Sequence, residues 1–448
     1  MIDRRMYQNE SDNCERYILV AVATGDEEAA WDSLDELADL LDTAGGETVC
    51  QVVQNLVHPD KATYVGRGKA RELAEMIGIH EADGIICDDE LTASQMRNLS
   101  EITGAKVIDR TTLILDIFAA HARTREGKLQ VEIAQQKYRY ARLRGMGEAL
   151  SRLGAGIGTR GPGETKLETD RRVIQKRIKI LSDDIEAMKR ARDTARKKRS
   201  SNVVPAAAIV GYTNAGKSTL LNCLTGSDVL SEDKLFATLD PTTRSAMLPD
   251  GQQVLFTDTV GFINKLPHNL VDAFRSTLEE AGYADIIVHV IDASDPQAEM
   301  HRRVVYDTLI DLGITDKPVI TVWNKCDLVE DGEPFRDFEA DASIKISAKT
   351  GEGVDALCDE VAKILRDSRV SVDTVIPYRN AALVAEIRKT GQLLSEEYEE
   401  GGVHIKAYVP RALAGKWGLD TGSDIGPDTE PYTGPDTGLG TEPDTERR

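Results

Sequence analysis

The sequence has few aromatic residues and no long hydrophobic segment. Phe, Trp and Tyr together make up 5% of its 448 residues. No uninterrupted apolar run approaches the ~18 residues that a membrane-spanning helix needs, so no membrane span is predicted. The first five residues lead into polar residues without a hydrophobic region, and no signal peptide is expected.

Cysteine is scarce and scattered. No two cysteines form a Cys-x-x-Cys pair, so neither a disulfide framework nor a zinc knuckle is supported. We therefore expect a reduced, soluble, cytoplasmic protein, monomeric in solution. The six cysteines are Cys14, Cys50, Cys87, Cys223, Cys326 and Cys358.

Charge is unevenly distributed along the chain. The whole sequence has 55 Lys and Arg against 76 Asp and Glu, a net charge of −21. Residues 121–200 instead contain 22 Lys and Arg against 10 Asp and Glu, a net of +12, so the remainder carries −33. A basic region inside an acidic chain indicates an anionic partner for that region alone.

Apolar patterning predicts a multidomain α/β chain. Short apolar runs alternate with helical patterns in two regions, which is typical of parallel α/β domains. Between them, two long helical stretches flank a glycine-rich break and predict an antiparallel helical hairpin whose helices of about 28 residues reach ~40 Å. The predicted regions are an N-terminal α/β domain (1–121), the basic hairpin (122–200), a second α/β domain with a parallel sheet flanked by helices (201–368), a small C-terminal α+β module (369–412) and a disordered acidic tail (413–448).

Finer patterns support these regions. In the second hairpin helix, apolar residues alternate at spacings of four and three, as in a coiled-coil seam. In the C-terminal module we expect a strand, a helix from Leu383 to Tyr398, a stop at Gly401 and Gly402, and a strand over Val403–Val409. In the tail, Pro-Asp-Thr recurs with a period of eight. The residues of the coiled-coil seam in the second hairpin helix are Ile174, Ile178, Leu181, Ile185 and Met188.

The most informative motif is a phosphate-binding loop. It fits G-x-x-x-x-G-K-S, follows the apolar run Ala206–Val210 and precedes a helical pattern. Backbone N–H groups of such a loop and the following helix N-terminus hold phosphate oxygens. Lys217 is then predicted to reach the β- and γ-phosphates, and the Ser218 hydroxyl to bind Mg²⁺. The loop residues are Gly211, Tyr212, Thr213, Asn214, Ala215, Gly216, Lys217 and Ser218.

A second motif, Asp258-Thr259-Val260-Gly261, follows the apolar run Val254–Phe256. An Asp at the end of a strand can hold Mg²⁺ through water, which is the role predicted for Asp258. The Gly261 N–H can contact the γ-phosphate and sense its loss. Lys217 and Gly261 are predicted catalytic residues, together with a threonine of the switch loop.

Two further motifs predict the base that is read. Asn324-Lys325-Cys326-Asp327 follows the apolar run Val319–Trp323, and the Asp327 carboxylate can accept bonds from guanine N1–H and N2–H₂. Adenine lacks this pair of donors, so GTP is predicted as the nucleotide rather than ATP. This prediction argues against an ATP-using helicase. Asn324 is expected to brace the loop and Lys325 to pack on the base. Ser347-Ala348-Lys349 is expected to bond guanine O6 through backbone N–H groups.

The switch loop that completes such a site is expected between the first two motifs. A Thr there should bind Mg²⁺ and the γ-phosphate. Spacing alone does not separate Thr238, Thr242 and Thr243. The segment reads Phe236-Ala237-Thr238-Leu239-Asp240-Pro241-Thr242-Thr243-Arg244.

With these motifs in order, residues 16–410 resemble the HflX-type GTPases of the Obg–HflX superfamily of translational GTPases. The string Gly161-Pro162-Gly163-Glu164-Thr165-Lys166-Leu167-Glu168 at the hairpin tip adds to the resemblance. It implies a Mg²⁺-dependent P-loop GTPase domain that converts GTP to GDP, with Thr238 as the switch Thr. It also implies binding to the large ribosomal subunit and its rRNA, hydrolysis stimulated there, and splitting or rescue of ribosomes.

Alternatives remain for three features. The chain could instead be a GTP-gated RNA-binding module without splitting activity. Asn214 either holds K⁺ near the phosphates, as in related GTPases with Asn at this position, or only shapes the loop. Tyr138 and Tyr140 either stack on bases or, as we favour, pack along the hairpin seam. Phe262 stands where Ras-like enzymes place a water-orienting Gln, so slow intrinsic hydrolysis is expected.

Overall fold

A computed structural model describes residues 14–153, 162–199, 204–226, 235–236, 238–265, 281–329, 335–367, 369–410, 414–415 and 417–418. The chain divides into two compact units. The first contains the described residues up to Ile364, and the second those from Leu365 onward. Ala237, residues 154–161 of the glycine-rich hairpin tip and residues 419–448 of the predicted disordered tail (413–448) lie outside the described residues.

The N-terminal part of the first unit is a parallel four-stranded sheet in the order β2-β1-β3-β4. Three of its helices begin at side-chain caps: Asp26 caps α1, a Thr92–Gln95 capping box starts α3, and Asp109 caps α4. This confirms the predicted small parallel α/β fold. The elements are β1 (Arg16–Ala23), α1 (Glu27–Thr43), β2 (Glu47–Asn55), α2 (Arg67–His80), β3 (Gly84–Cys87), α3 (Ala93–Thr103), β4 (Lys106–Asp109) and α4 (Arg110–His121).

Two long helices follow, α5 (Arg125–Leu153) and α6 (Pro162–Arg199). They run antiparallel, because Tyr140 pairs with Gln175 whereas Glu126, earlier in α5, pairs with Arg192, later in α6. In the seam, Leu181 is buried and the other four predicted positions are partly buried. The predicted antiparallel hairpin is therefore present.

The two tyrosines of α5 have structural contacts. Tyr140 meets α6 across the hairpin, as favoured above, whereas Tyr138 packs toward β4 and α4 instead of along the seam. Tyr138 is buried, and its hydroxyl donates to Asp109 at 2.6 Å. The Tyr140 hydroxyl accepts from Gln175 Nε2 at 2.5 Å. Both side chains are thus engaged within the first unit.

The second α/β region forms a six-stranded sheet in the order β10-β9-β8-β5-β7-β6. Its strands are parallel except β6, which pairs antiparallel with β7 at one edge and was not expected from the sequence. The strand β5 lies between β7 and β8, so the loop after it opens at the carboxyl edge, where such sheets bind ligands. The elements are β5 (Ala206–Gly211), α7 (Lys217–Thr225), β6 (Thr242–Met247), β7 (Gln253–Asp258), β8 (Ile286–Asp292), α8 (Ala298–Asp311), β9 (Val319–Asn324), β10 (Ala342–Lys345) and α9 (Val354–Asp367).

The second unit corrects one prediction. The helix expected from Leu383 to Tyr398 ends at Thr390, and the residues after it form a strand. Gly391, which follows the helix, has an extended backbone, and a Cβ there would lie 2.9 Å from the Ile387 carbonyl oxygen and 3.1 Å from that of Tyr408. The antiparallel sheet has the order β11-β13-β12 and consists of β11 (Arg369–Ile376), β12 (Gln392–Glu399) and β13 (Gly402–Pro410), with helix α10 (Ala381–Thr390).

Within the described part of the chain, no helix is both long and apolar enough to cross a membrane.

Candidate nucleotide-binding site

The loop between β5 and α7 has the backbone that its glycines predict. Gly216 has φ +93° and Asn214 has φ +58°, both in the left-handed region. A Cβ on Gly216 would collide with the side-chain nitrogen of Asn324, so a larger residue fits neither the conformation nor the space. Asn214 is exposed and Thr213 is buried.

Lys217 is the first residue of α7, and it is buried beside the phosphate loop. Its Nζ donates to the Tyr212 carbonyl oxygen at 2.8 Å. Burial lowers the pKa of Lys217 to about 8, although the nearby Asp258 carboxylate opposes the shift. A Cβ on Gly261 would lie 3.0 Å from this Nζ and 2.9 Å from the Thr213 Cα, so only glycine lets the Asp258–Gly261 segment approach so closely.

Oxygen atoms of three predicted metal ligands converge beside the loop. Ser218 Oγ lies 2.7 Å from Asp258 Oδ2 and 2.9 Å from Thr238 Oγ1. Asp258 is fully buried, and among the described residues its Oδ1 has no hydrogen-bond partner. Burial raises the pKa of Asp258, while Lys217 and Ser218 oppose the shift. Hydroxyl and carboxylate oxygens with an orphaned buried carboxylate oxygen are a donor set that suits Mg²⁺.

The structure separates the three candidate switch threonines. Thr238 reaches Ser218, whereas Thr242 and Thr243 belong to β6, where Thr243 Oγ1 lies 2.9 Å from Thr257 Oγ1. Phe236 and Leu239 pack into a core cluster that includes Phe118 of α4. The Phe236 and Phe118 rings meet edge to face with centroids 4.6 Å apart.

The rest of the Asp258–Gly261 region is fixed to β5 and the phosphate loop. The Thr259 hydroxyl donates to the Ile209 carbonyl at 2.8 Å. The Phe262 N–H donates to the Gly211 carbonyl, and the Phe262 carbonyl accepts from Thr213 N–H. Val260 and Phe262 are both buried, and the Phe262 side chain lies in a hydrophobic cluster.

The predicted base-reading loops meet through one side chain. Asn324 Nδ2 donates to the Ala215 carbonyl of the phosphate loop at 2.8 Å, and Asn324 Oδ1 accepts from the Ala348 N–H at 2.9 Å. Lys325 pairs with Asp292 at 2.7 Å. The loops are further joined by Cys326 N–H, which donates to the Ile346 carbonyl at 3.1 Å.

The remaining base-side residues differ in exposure. Ser347 is buried, and its hydroxyl oxygen accepts from the Thr350 N–H at 3.2 Å. Asp327 and Lys349 are exposed. The Asp327 carboxylate is thus on the surface of the loop, accessible to a base.

Sequence reasoning missed a set of contacts between the phosphate loop and the N-terminal domain. The Tyr212 hydroxyl donates to Glu36 of α1 and accepts from the Asn264 N–H at 2.6 Å. Its ring stacks on His301 of α8, with centroids 3.7 Å apart and planes inclined by 16°. Burial, and then the Glu36 charge, raises the pKa of Tyr212.

A group of buried ion pairs adds to this contact between the N-terminal domain and the nucleotide-binding region. Arg110 of α4 pairs with Glu36 and, at 2.8 Å, with Asp88, which also pairs with Lys265 just after the Asp258–Gly261 motif. The partners are 22 to 177 residues apart along the chain. No local motif marks such pairs, so one sequence alone offers no signal for them.

Because Asn324 links the phosphate-side loops to the base-side loops at one edge of the sheet, this is the site of a P-loop GTPase. Three family models match the chain, described as GTP-binding GTPase N-terminal (residues 31–119), GTP-binding GTPase Middle Region (121–199) and 50S ribosome-binding GTPase (206–325). The chain is 57% identical to a GTPase HflX of Lacrimispora saccharolytica, over 89% of this chain and 94% of that protein. It is 48% identical to a GTPase HflX of Caldanaerobacter subterraneus, over 88% of this chain and 91% of that protein. The chain therefore belongs to the HflX GTPase family and is a GTP hydrolase.

Proposed function

We propose that this GTPase acts on the large ribosomal subunit, and that hydrolysis there is coupled to splitting or rescuing ribosomes. The observation that carries the proposal is the match of residues 206–325 to the family described as 50S ribosome-binding GTPase. The basic hairpin supports it, because a net charge of +12 over residues 121–200 in a chain of −21 suits contact with rRNA phosphates.

On the phosphate side, Lys217 contacts the β- and γ-phosphates, and the Gly261 N–H meets the γ-phosphate. Ser218 and Thr238 would hold Mg²⁺ through their hydroxyl oxygens, and Asp258 would support it through water. When bound, the ion neutralises charge that spreads over the phosphate oxygens during transfer. The convergence of these three side chains supports the assignment.

On the base side, Asp327 accepts hydrogen bonds from guanine N1–H and N2–H₂. Its exposure on the loop leaves the carboxylate accessible. The Ala348 N–H donates to Asn324 Oδ1, and this bond holds in place the loop whose backbone N–H groups read guanine O6. Lys325, tied to Asp292, packs its stem along the base plane.

Intrinsic hydrolysis is slow because Phe262 stands where Ras-like enzymes place a glutamine, and a phenylalanine side chain cannot orient the attacking water. Phe262 is 2% exposed and packed in the core, so it takes no part in positioning water. The large subunit then supplies what the free site lacks. Asn214, an exposed residue of the phosphate loop, would hold K⁺.

Sedimentation through a sucrose gradient tests the ribosomal role. The protein is mixed with assembled ribosomes and a non-hydrolysable GTP analogue, and the free subunits are quantified. We expect the protein to travel with the large subunit and the fraction of free subunits to rise, neither of which should occur with GDP. Absence from the large-subunit fractions in both nucleotide states would refute the proposal.

The second candidate function is a GTP-gated RNA-binding module without splitting activity. The charge of the hairpin favours RNA contact but says nothing about separating subunits. In the same gradient, this candidate predicts binding to large subunits with no rise in free subunits.

A further inference from the structure

The switch segment makes an unusual contact two residues after Thr238. The Asp240 carboxylate accepts hydrogen bonds from the backbone N–H groups of Arg123 and Thr124, at 3.0 and 2.8 Å, and from the Thr124 hydroxyl. These residues immediately precede α5, the first helix of the basic hairpin. The contact joins positions more than 110 residues apart in the sequence.

Asp240 adds to the cap of α5 from outside the helix. The first N–H groups of a helix lack intrahelical partners, and a carboxylate there is favoured by the helix dipole. The local cap is the Thr124 hydroxyl, which accepts from the Gly127 N–H at 3.0 Å. Asp240 in turn holds Thr124 by its N–H and its hydroxyl, so it orients the residue that caps the helix.

Gly127 leaves room for the Asp240 carboxylate at the first turn of α5. A Cβ at position 127 would collide with Asp240 Oδ1. Glycine in a helix costs about 1 kcal/mol relative to alanine. The space that Asp240 occupies is a direct reason for glycine in the first turn of α5.

Asp240 lies only two residues along the chain from Thr238, whose hydroxyl is on the proposed magnesium side of the site. Two residues span at most about 7 Å of extended chain, so a shift of Thr238 by several ångströms reaches Asp240. Leu239, between them, is buried in the core cluster shared with α4 and α5. Thr238 and Asp240 therefore cannot move far independently of each other. Switch segments of GTPases are held by the γ-phosphate and released after hydrolysis.

We propose that Asp240 is a positioning residue that couples Thr238 to the start of α5, so that the nucleotide state controls how firmly the hairpin helix is anchored. The inference rests on the magnesium-binding role proposed for Thr238. When Thr238 is held at Ser218, Asp240 anchors Thr124; when Thr238 is released, the anchor is lost. Coupling is reciprocal, so holding the base of α5 in place also holds Thr238 at the site.

Hydrogen exchange of the Arg123 and Thr124 amides in the full-length protein tests the proposal without ribosomes. With Mg²⁺ and a non-hydrolysable GTP analogue, we expect these amides to exchange about ten-fold more slowly than with GDP, which is within the usual range of such couplings. In Asp240→Ala, exchange should be fast and equal in both states. Asp240→Asn keeps one acceptor oxygen and should restore part of the difference.

Asp26→Ala is the matched control, because Asp26 caps α1 by accepting from the Ala29 N–H at 3.0 Å and has no contact with the switch segment among those described. It should leave the nucleotide dependence at 123 and 124 intact. Equal exchange of the wild-type amides in both nucleotide states, or nucleotide dependence preserved in Asp240→Ala, would overturn the proposal.

Turnover provides a second readout. At saturating GTP, Asp240→Ala should lower kcat about ten-fold while GDP affinity changes less than about two-fold, because the phosphate loop and the base-reading loops are untouched. Unchanged kcat would contradict the coupling. Failure of ribosomes to stimulate the wild type would instead refute the ribosomal role and leave the exchange result unaffected.

Discussion

The hydroxyl oxygens of Ser218 and Thr238 lie 2.9 Å apart, although 20 residues separate them. Ser218 begins the helix after the phosphate loop, and Thr238 belongs to the switch segment. Asp258 meets the same Ser218 hydroxyl at 2.7 Å. The meeting of these three groups distinguishes Thr238 from Thr242 and Thr243, which sequence spacing alone left equal.

This geometry predicts that Thr238→Ala raises the Mg²⁺ concentration for half-maximal GTP hydrolysis by about ten-fold, because one oxygen ligand is removed. The measurement is a magnesium titration of turnover at saturating GTP. Thr243→Ala is the control, since Thr243 bonds Thr257 on the neighbouring strand. Identical shifts in both variants would contradict the assignment of Thr238.

Burial lowers the pKa of Lys217 to about 8, so in the free protein at pH 8.5 much of this lysine is neutral. Bound phosphates favour the protonated form and raise its pKa. GDP binding at pH 8.5 should therefore take up a proton, and affinity should fall as pH rises above 8. Calorimetry of GDP binding in buffers of different ionisation enthalpy measures this uptake. The terminal phosphate of GDP is already ionised at this pH, so absence of buffer dependence would count against the buried lysine.

Asp327→Asn should weaken GTP binding by about 100-fold, which corresponds to roughly 3 kcal/mol of lost charged hydrogen bonds. The amide donates where the carboxylate accepted, so xanthosine nucleotides should be favoured instead. Titration calorimetry with GDP and xanthosine diphosphate measures both affinities. Lys349→Ala, in the exposed part of the neighbouring loop, should keep the guanine preference. Wild-type GDP affinity in Asp327→Asn would remove this residue from base recognition.

Hydrolysis should be faster in K⁺ than in Na⁺ at equal ionic strength. A K⁺ ion held by Asn214 would add positive charge where the transition state spreads negative charge over the phosphate. General screening does not distinguish the two cations. Turnover in matched KCl and NaCl series measures the effect.

Asn214→Gly is the informative variant for this test, because glycine accepts the φ of +58° at this position whereas alanine would be strained. The substitution should abolish the difference between the two salts. Equal wild-type rates in KCl and NaCl would restrict Asn214 to a structural role.

The spacing of apolar residues in the sequence predicts most of the observed fold. The motifs after β5, β7 and β9 could be placed at one sheet edge because parallel strands end together. The C-terminal helix was overextended because Leu393 and Leu394 fit a helical pattern locally, whereas pairing of β12 with β13 decides their structure. Edge strand β6 was missed because its residues, Thr242–Met247, also fit a switch loop.

The nucleotide motifs could be predicted because each is contiguous. The contacts of Tyr212 with Glu36 and of Asp240 with Thr124 could not, since their partners lie 176 and 116 residues away. Tyr212 and Asp240 were predicted as nucleotide-binding residues from their place in the motifs. In the structure, their side chains contact α1 and the start of α5.

The central claim is that this GTPase works on the large ribosomal subunit, and GTP turnover with and without purified large subunits tests it most directly. We expect turnover to rise at least about ten-fold, since a partner can supply what the free site lacks. Replacing Arg160 and Gly161–Gly163 with alanine should abolish the increase while GDP affinity stays unchanged. The same wild-type rate with and without large subunits, at concentrations that saturate binding, would contradict the account.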